Sequence, residues 1–336
     1  MKDKKSSVSF FSVLTQYREL PLIGIFLLLL AVVSIMVPGY IGNSWLNILK
    51  NCSIDLVMAC GMLCVLLIGS IDISVAGVLA LSACVAGKLM GDGVIHSIFM
   101  MFVVGILIGA LFGALTGVLM SYGRILPIIV TLGLNYVARA LIPMDWLLGL
   151  SKINPTDLTA GFRKFILVSF LGLPVLVWIA IVVVVLTYLF LRYTRTGRNL
   201  YAVGSNQEAA QVRGVHINRI KVLAHTICGA TAGLAGVMWL GYYNAAEKIT
   251  ATGEEMYVIA ACVLGGVAVT GGYGKIQGVV IGALMIATIN SAIPQMFISN
   301  TMITELFKGI LILLAILLNV FLQRMSAKRD LMGRNI

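Results

Sequence analysis

Ionisable side chains are scarce in this chain of 336 residues, and a few of them interrupt long apolar runs. Burying a charge in hydrocarbon is costly, so such residues indicate a function by default; here they are Asp55, Asp72, Arg139, Glu305 and Lys308. Glu305 and Lys308 are spaced as a helical ion pair would be. Asp72 could cap the following helix or line a pathway, Asp55 could face an outer vestibule, and Arg139 could extend towards the membrane surface.

Other chemistries are poorly represented. The six cysteines lie within or beside apolar runs, where small buried side chains are expected. The separated His216 and His225 do not make a metal site. Candidate Ser, His and Asp residues are scattered over loops that we assign to different sides of a membrane, and the chain has no phosphate-binding P-loop. We therefore predict no catalytic residue, no metal ion and no cofactor in this chain.

The composition points to a membrane. Apolar residues make up 60% of the chain and charged residues 11%, whereas a soluble domain is usually about a quarter charged. The net charge of +11 is then a signal of membrane topology, and nucleic-acid binding is not expected.

Apolar runs of membrane-spanning length recur along the chain and predict an all-α, polytopic membrane protein with about ten helices in a compact bundle. A short N-terminal segment (1–19) and a short C-terminal tail (323–336) flank a membrane domain (20–322). The predicted spans are 20–38, 52–69, 73–90, 94–120, 126–148, 164–191, 219–243, 255–271, 275–295 and 302–322. In the fourth span glycine recurs every fourth residue (Gly105, Gly109, Gly113, Gly117), a spacing that lets helix backbones approach closely.

A polar island, residues 192–221, separates two of the spans and carries six basic residues and only one acid, Glu208. Basic residues fall predominantly on the side that holds this island and both termini, which predicts that all three are cytoplasmic. Within the island, Asn206 can cap a helix that Gly214 ends, and Ser205 with Glu208 has the spacing of a capping box. A short helix outside the bilayer is a candidate docking surface, although an ordinary solvated loop is the alternative.

Four ordered segments resemble the permeases of bacterial ABC sugar importers of the ribose/xylose/galactose/autoinducer-2 type. Residues 196–219 resemble the coupling loop of that family, and 69–77 (Gly-Ser-Ile-Asp-Ile-Ser-Val-Ala-Gly) resemble its "GGIDLSVG" signature. Residues 253–274 resemble its Gly-rich eighth and ninth spans, and 307–315 its last span. Together these segments extend over most of residues 45–320.

The resemblance implies a mechanism and partners. Two cytoplasmic ATPase subunits, which bind ATP and Mg²⁺, would grip the coupling helices of two permeases, identical or paralogous, in the lipid of the bacterial inner membrane. A periplasmic or lipid-anchored binding protein would deliver the sugar. The residues expected to couple to the ATPase are Ser205, Asn206, Glu208, Ala209, Ala210, Arg213 and Gly214.

A sugar pathway needs side chains that hydrogen-bond to hydroxyl groups. The candidates are Asp55, Asp72, Ser74, Asn135, Asn244, Glu255 and Asn290, and packing is the alternative role for each of them. Two other functions stay open: a related permease for branched-chain amino acids or nucleosides, and an ion-coupled secondary transporter, which would need repeats and matched buried acids.

Overall fold

A computed structural model describes residues 19–144, 149 and 152–296, together with isolated positions between 306 and 317. The described residues form two compact units, one drawn from residues 1–45 and 288–336 and the other from Leu46–Ala287. The second unit holds most of the candidate site residues. The predicted tail 323–336, most of the predicted N-terminal segment 1–19, and Glu305 and Lys308 in the span 302–322 lie outside the described residues.

Twelve α-helices account for most of the described chain. They are α1 (Glu19–Met36), α2 (Tyr40–Leu67), α3 (Val75–Gly91), α4 (Ile98–Tyr122), α5 (Pro127–Leu141), α6 (Ala160–Leu167), α7 (Val175–Tyr193), α8 (Arg195–Ser205), α9 (Gln207–Val212), α10 (Ile217–Tyr243), α11 (Glu254–Leu264) and α12 (Ile276–Met296). A single 3₁₀ turn (Pro155–Asp157) precedes α6.

Four strands of two residues each also occur among the described residues, as small additions to the mainly helical fold that the sequence predicts. β1 (Lys152–Ile153) pairs antiparallel with β4 (Ala246–Glu247), and β2 (Ser169–Phe170) pairs with β3 (Leu173–Pro174). The second pair lies within the predicted span 164–191, which is therefore two helices and a hairpin. The turn requires left-handed backbone at Leu171 and Gly172, with φ of 50° and 81°, and this interrupts the helix despite the apolar sequence.

Among the described residues, five helices are long and apolar enough to cross a membrane: α2 from Ser44, α4, α7, α10 and α12. Three others, α1 from Pro21, α3 and α5, are shorter apolar helices. Long apolar side chains on α4 face outward, as shown by Leu107 at 56% and Leu111 at 70% exposure. Polar residues, by contrast, are buried, among them Asp55, Asp72 and His225. Soluble proteins bury apolar side chains and expose polar ones. The opposite distribution seen here is expected for a protein surrounded by lipid.

The glycines of α4 allow the close approach of helix backbones that the sequence predicts. A Cβ atom placed on Gly109 would come within 2.0 Å of the Gly229 carbonyl oxygen, and one on Gly105 within 2.8 Å of that of Gly233. A Cβ on Gly113 would come within 2.1 Å of the His225 carbonyl oxygen. Thus α4 and α10 pack antiparallel with their backbones in direct contact, which only glycine permits.

Side-chain hydrogen bonds join the described parts of the smaller unit. Tyr40, which is 1% exposed, donates its hydroxyl hydrogen to the Thr288 carbonyl oxygen over 3.0 Å. The Gln295 amide nitrogen donates to Ser44 Oγ at 3.3 Å and to the Ser291 carbonyl oxygen at 3.0 Å. These bonds satisfy polar groups that lie among apolar helices.

Candidate functional site

The polar island folds into two short helices, α8 and α9, joined at Asn206. The Asn206 side chain accepts a hydrogen bond of 2.9 Å from the Ala209 backbone nitrogen, which makes it the N-cap of α9. Gly214 follows α9 with a φ of +80°. The predicted helix and its cap are therefore confirmed. The predicted Ser205–Glu208 capping box is wrong, because Ser205 is the last residue of α8 and the cap falls one position later.

Helix α9 presents nearly all its side chains to solvent. Of its six residues only Ala210 is buried. Val212 is 89% exposed, more than any other large apolar side chain among the described residues. A single exposed valine is not unusual by itself, but at the end of α9 it gives this charged surface one apolar point of contact. Val212 was not predicted from the sequence, although a valine at the end of a polar helix is a signal that the sequence offers.

Arginines surround α9 on one side. Arg195, Arg198, Arg213 and Arg219 line a cleft of about 470 Å³ next to the helix. None of the described residues that line this cleft is acidic. The surface therefore favours a partner that presents carboxylates around an apolar contact.

The island is joined to the membrane helices through backbone contacts between small residues. A Cβ on Gly204 would lie 1.8 Å from the Leu67 carbonyl oxygen, at the end of α2, and 2.5 Å from the Gly272 nitrogen. That nitrogen donates to the same Leu67 carbonyl over 2.9 Å. One residue of α8 thus touches both the end of α2 and the loop between α11 and α12. We call this contact of Gly204, Leu67 and Gly272 the glycine joint.

Tyr201 adds a second attachment. Its hydroxyl donates to the Gly274 carbonyl oxygen at 2.9 Å. Burial raises the pKa of Tyr201 to about 12, so the phenol keeps the proton that it donates. Both attachments hold the island to the 271–274 loop.

The chain between α2 and α3 contains a buried polar cluster. Asp72, which is 1% exposed, accepts hydrogen bonds from the Ser74 backbone nitrogen at 3.0 Å and from Ser74 Oγ at 2.5 Å. Its other oxygen lies 2.9 Å from His225 Nδ1 on α10, and His225 Nε2 lies 3.2 Å from Ser70 Oγ. We call the segment between α2 and α3 the break. A chain of side-chain hydrogen bonds thereby connects the break to α10 in the middle of the bundle.

The order Ser70–His225–Asp72 corrects the prediction that no Ser/His/Asp arrangement would form. The residues reach one another because the break between α2 and α3 folds back beside α10. In hydrolases this order activates a serine nucleophile. Here His225 is fully buried and Ser70 is 5% exposed, its Oγ also lying 3.4 Å from Met120 Sδ. The burial of His225 and its bonds to both partners support a role in holding the segment between α2 and α3 in place.

Asn135 and Arg139 continue the polar contacts towards the far end of α10. Asn135 donates from Nδ2 to the Ile73 carbonyl oxygen at 3.1 Å and accepts from Arg139 Nε at 3.0 Å. Arg139 Nη1 donates to the carbonyl oxygens of Lys248 and Thr250 at 2.7 and 2.9 Å. Arg139 is thus hydrogen-bonded to the loop that follows α10. Asn135 has both its polar groups occupied.

A second polar cluster lies at the end of α10 that is remote from the island. The carboxyl groups of Asp55 and Glu254 are hydrogen-bonded to each other. The Tyr243 hydroxyl is 3.5 Å from Asn51 Oδ1, and the Tyr243 ring lies 4.3 Å from that of Trp239. Carboxyl, amide and aromatic groups together can bind a polyhydroxylated molecule by hydrogen bonds and by contact with its C–H faces.

The remaining predicted pathway residues are placed as follows. Asn244 has left-handed backbone at the C-terminus of α10, and its buried Oδ1 has no partner among the described residues. Glu255 accepts from the Gly253 nitrogen at 3.1 Å and its charge interacts with that of Arg139. Asn290 belongs to the smaller unit. Among the described residues no His, Cys, Asp or Glu group of three or more could hold a metal ion, and the six cysteines are buried and free.

Comparison with known proteins defines the class. Residues 44–316 match the family of permease components of the branched-chain amino acid transport system. The chain belongs to this family, so it is a multi-pass membrane permease, the membrane component of a transport system. No solved structure matches it.

Individual relatives narrow the class. The ribose import permease protein RbsC of Escherichia coli (strain K12) is 35% identical over 296 residues, covering 87% of this chain and 91% of the relative. The L-arabinose ABC transporter permease protein AraH of Azospirillum brasilense is 34% identical, covering 88% and 86%. The D-allose transport system permease protein AlsC of E. coli (strain K12) is 32% identical, covering 80% and 83%.

Proposed function

We propose that this chain is the membrane permease subunit of an ATP-driven ABC importer that moves a monosaccharide or a sugar-like compound across the bacterial inner membrane. The observation that carries this proposal is the 35% identity to a ribose import permease over 91% of that relative's length. The arabinose and allose permeases agree with it, because all three relatives are named for sugars. The family description leaves branched-chain amino acids as the second candidate cargo.

In this proposal α9 is the coupling helix and lies in the cytoplasm with both termini. A separate ATPase subunit binds ATP and Mg²⁺ and grips α9 around Val212 and Glu208, both of which are exposed. The surrounding arginines favour carboxylates on that partner. This chain supplies the docking surface, and the partner supplies hydrolysis.

The glycine joint gives the coupling helix a short route to the pathway. A displacement of α8 and α9 acts at Gly204 directly on the Leu67 carbonyl, five residues before Asp72. Because backbone packed on backbone has no side chain to absorb the movement, the break between α2 and α3 must shift with it. The bonds of Asp72 to His225 and of Asn135 to Ile73 then define one resting position of that break.

We assign the pathway proper to the polar cluster around Asp55 and Glu254. Asp55 is buried, yet its cluster includes the half-exposed Tyr243, so the site is accessible from the end of α10 remote from the island. Asn244 and Glu255 lie beside it on the following loop and helix. A binding protein outside the membrane delivers the sugar to this end. A second permease, identical or paralogous, completes the transporter.

The test is uptake by proteoliposomes that contain this chain, its co-purified ATPase and the binding protein. We expect uptake of a labelled pentose or hexose that requires ATP inside the vesicles and persists when the proton gradient is collapsed. Val212→Asp should reduce recovery of the ATPase with the chain, because it places an acid opposite the partner's carboxylates, while Ile249→Asp, beyond the opposite end of α10, should not. Uptake of leucine but of no sugar would favour branched-chain amino acids as the cargo. Uptake driven by a proton gradient would overturn the proposal of an ATP-driven importer.

A further inference from the structure

A large cleft opens where α4 ends and α5 and α10 begin, on the same side of the helices as the polar island. Its volume is about 1010 Å³. Tyr122 and Arg124 line it from the end of α4, Gln207 and Gln211 from α9, and Lys221 from α10. Because α4 and α10 are membrane spans, their ends lie at the depth of the lipid headgroups.

The charge of this cleft is of one sign. Arg124, Arg219 and Lys221 line it, and none of the described lining residues is acidic. Arg124 and Arg219 are exposed and Lys221 is half-buried, so their ammonium and guanidinium groups are available to a ligand. Three cations around one cavity attract a phosphoryl group.

Backbone dipoles add to the side-chain charge. The N-termini of α5, at Pro127, and of α10, at Ile217, both contribute residues to the cleft lining. Neither helix has a side-chain cap hydrogen bond. The positive ends of two long helices, left without a capping side chain, favour an anion between them.

A polar side chain without a hydrogen-bond partner also lies in the wall of the cleft. Ser121 lines the cleft and is only 9% exposed, yet its Oγ has no hydrogen-bond partner among the described residues. Leaving a buried hydroxyl unpaired costs free energy. A rotation of the Ser121 side chain towards the cleft would let its hydroxyl donate to a bound phosphate oxygen.

Next to the cations lies a surface suited to an acyl chain. Leu126 is 66% exposed, Ile129 is 57% exposed and Ile125 is 41% exposed, all close to Arg124 in the chain. A soluble phosphate compound would not use these side chains, whereas a lipid would lay its acyl chain over them. We propose that this cleft is a binding site for the headgroup of an anionic phospholipid, which places a lipid directly against α9. The inference depends on the membrane spans and holds whether or not the cargo is a sugar.

The experiment is native mass spectrometry of the purified full chain titrated with phosphatidylglycerol, phosphatidylcholine or inorganic phosphate. We expect one phosphatidylglycerol to bind in preference to phosphatidylcholine. The combined change Arg124→Gln, Arg219→Gln and Lys221→Gln should weaken that binding at least about tenfold, given the contribution of each basic residue near a membrane. The matched control removes three exposed lysines at the opposite ends of the helices: Lys152→Gln, Lys164→Gln and Lys248→Gln.

Three results would overturn the proposal: equal binding of the two lipids, loss of preference in the control variant as well, or displacement of phosphatidylglycerol by millimolar inorganic phosphate. If the triple variant does not fold, Arg219→Gln alone is compared with Lys164→Gln. The ATPase is the competing occupant of the cleft, so the same measurement is made on the chain with its ATPase bound. Expulsion of the lipid by the ATPase would show that the cleft belongs to the ATPase-docking surface. Loss of sugar uptake would not change these binding results.

Discussion

His225 is the side chain whose environment departs furthest from what its position in the sequence indicates. It lies within an apolar helix, is fully buried, and links Asp72 to Ser70. Removing it would leave the buried Asp72 carboxylate without one of its hydrogen bonds, and an unpaired buried polar group is costly. The residue therefore matters for the position of the break between α2 and α3, although it touches neither the coupling helix nor the Asp55 cluster.

We predict that His225→Phe destabilises the protein by about 1–3 kcal/mol, because the imidazole is replaced by a ring that cannot donate to Asp72. The measurement is thermal unfolding of the purified chain in detergent. Ser82→Ala is the matched control, since Ser82 is also buried on a neighbouring helix but has no hydrogen-bond partner among the described residues. Equal unfolding temperatures for the two variants would contradict the role assigned to His225.

The cluster of Ser70, Asp72 and His225 could not be predicted from the sequence alone. Asp72 and His225 are 153 positions apart, and nothing local to either residue indicates the other. The cap of α9 at Asn206, by contrast, could be predicted because its partner is three residues away. Asp72 was recognised from its cost in a membrane, and the same argument, applied to histidine, would have identified His225.

At the scale of elements, the contact of α4 with α10 was the part of the fold most fully predicted. Glycines spaced by four residues lie on one face of any α-helix, so the prediction needed no knowledge of the partner. The hairpin at 169–174 was missed for the opposite reason. Its residues are as apolar as the helices around it, and the left-handed backbone at Leu171 leaves no mark in composition.

The close contact between these helices gives a sharp prediction. Gly109→Leu should prevent α4 and α10 from meeting, because even a Cβ atom there would lie 2.0 Å from the Gly229 carbonyl oxygen. Overpacking typically costs about 1–3 kcal/mol, and direct contact with backbone places this site at the upper end. We expect little folded protein by size-exclusion chromatography. Gly133→Leu, where the added atom has nothing within 4 Å, should elute like the unmodified chain.

At the scale of the whole molecule, the proposed topology is open to direct test. The polar island and the β2–β3 hairpin flank α7, a helix of 19 residues that is long enough to cross a membrane. If the island is cytoplasmic, the hairpin must be outside. The two segments offer exposed positions for chemical labelling, Val212 at 89% and Leu171 at 78%.

We predict that Leu171→Cys reacts with a membrane-impermeant maleimide in intact spheroplasts, and that Val212→Cys reacts only in inverted vesicles. The six native cysteines are buried, so the unmodified chain provides the background control. The opposite labelling pattern would place the island outside, where no ATPase could reach it, and would contradict the coupling role of α9.

The backbone contact between α4 and α10 has a consequence for transport. Side chains in ordinary helix packing can change rotamer and let helices slide, but glycine on glycine has no such freedom. We therefore expect these two helices to move together during the proposed transport cycle. In the proposed transport cycle the glycine joint, which is packed in the same way, transmits movement to the break before α3, and this break is the part that shifts. In this cycle the α4–α10 pair stays fixed, and the break before α3 moves relative to it.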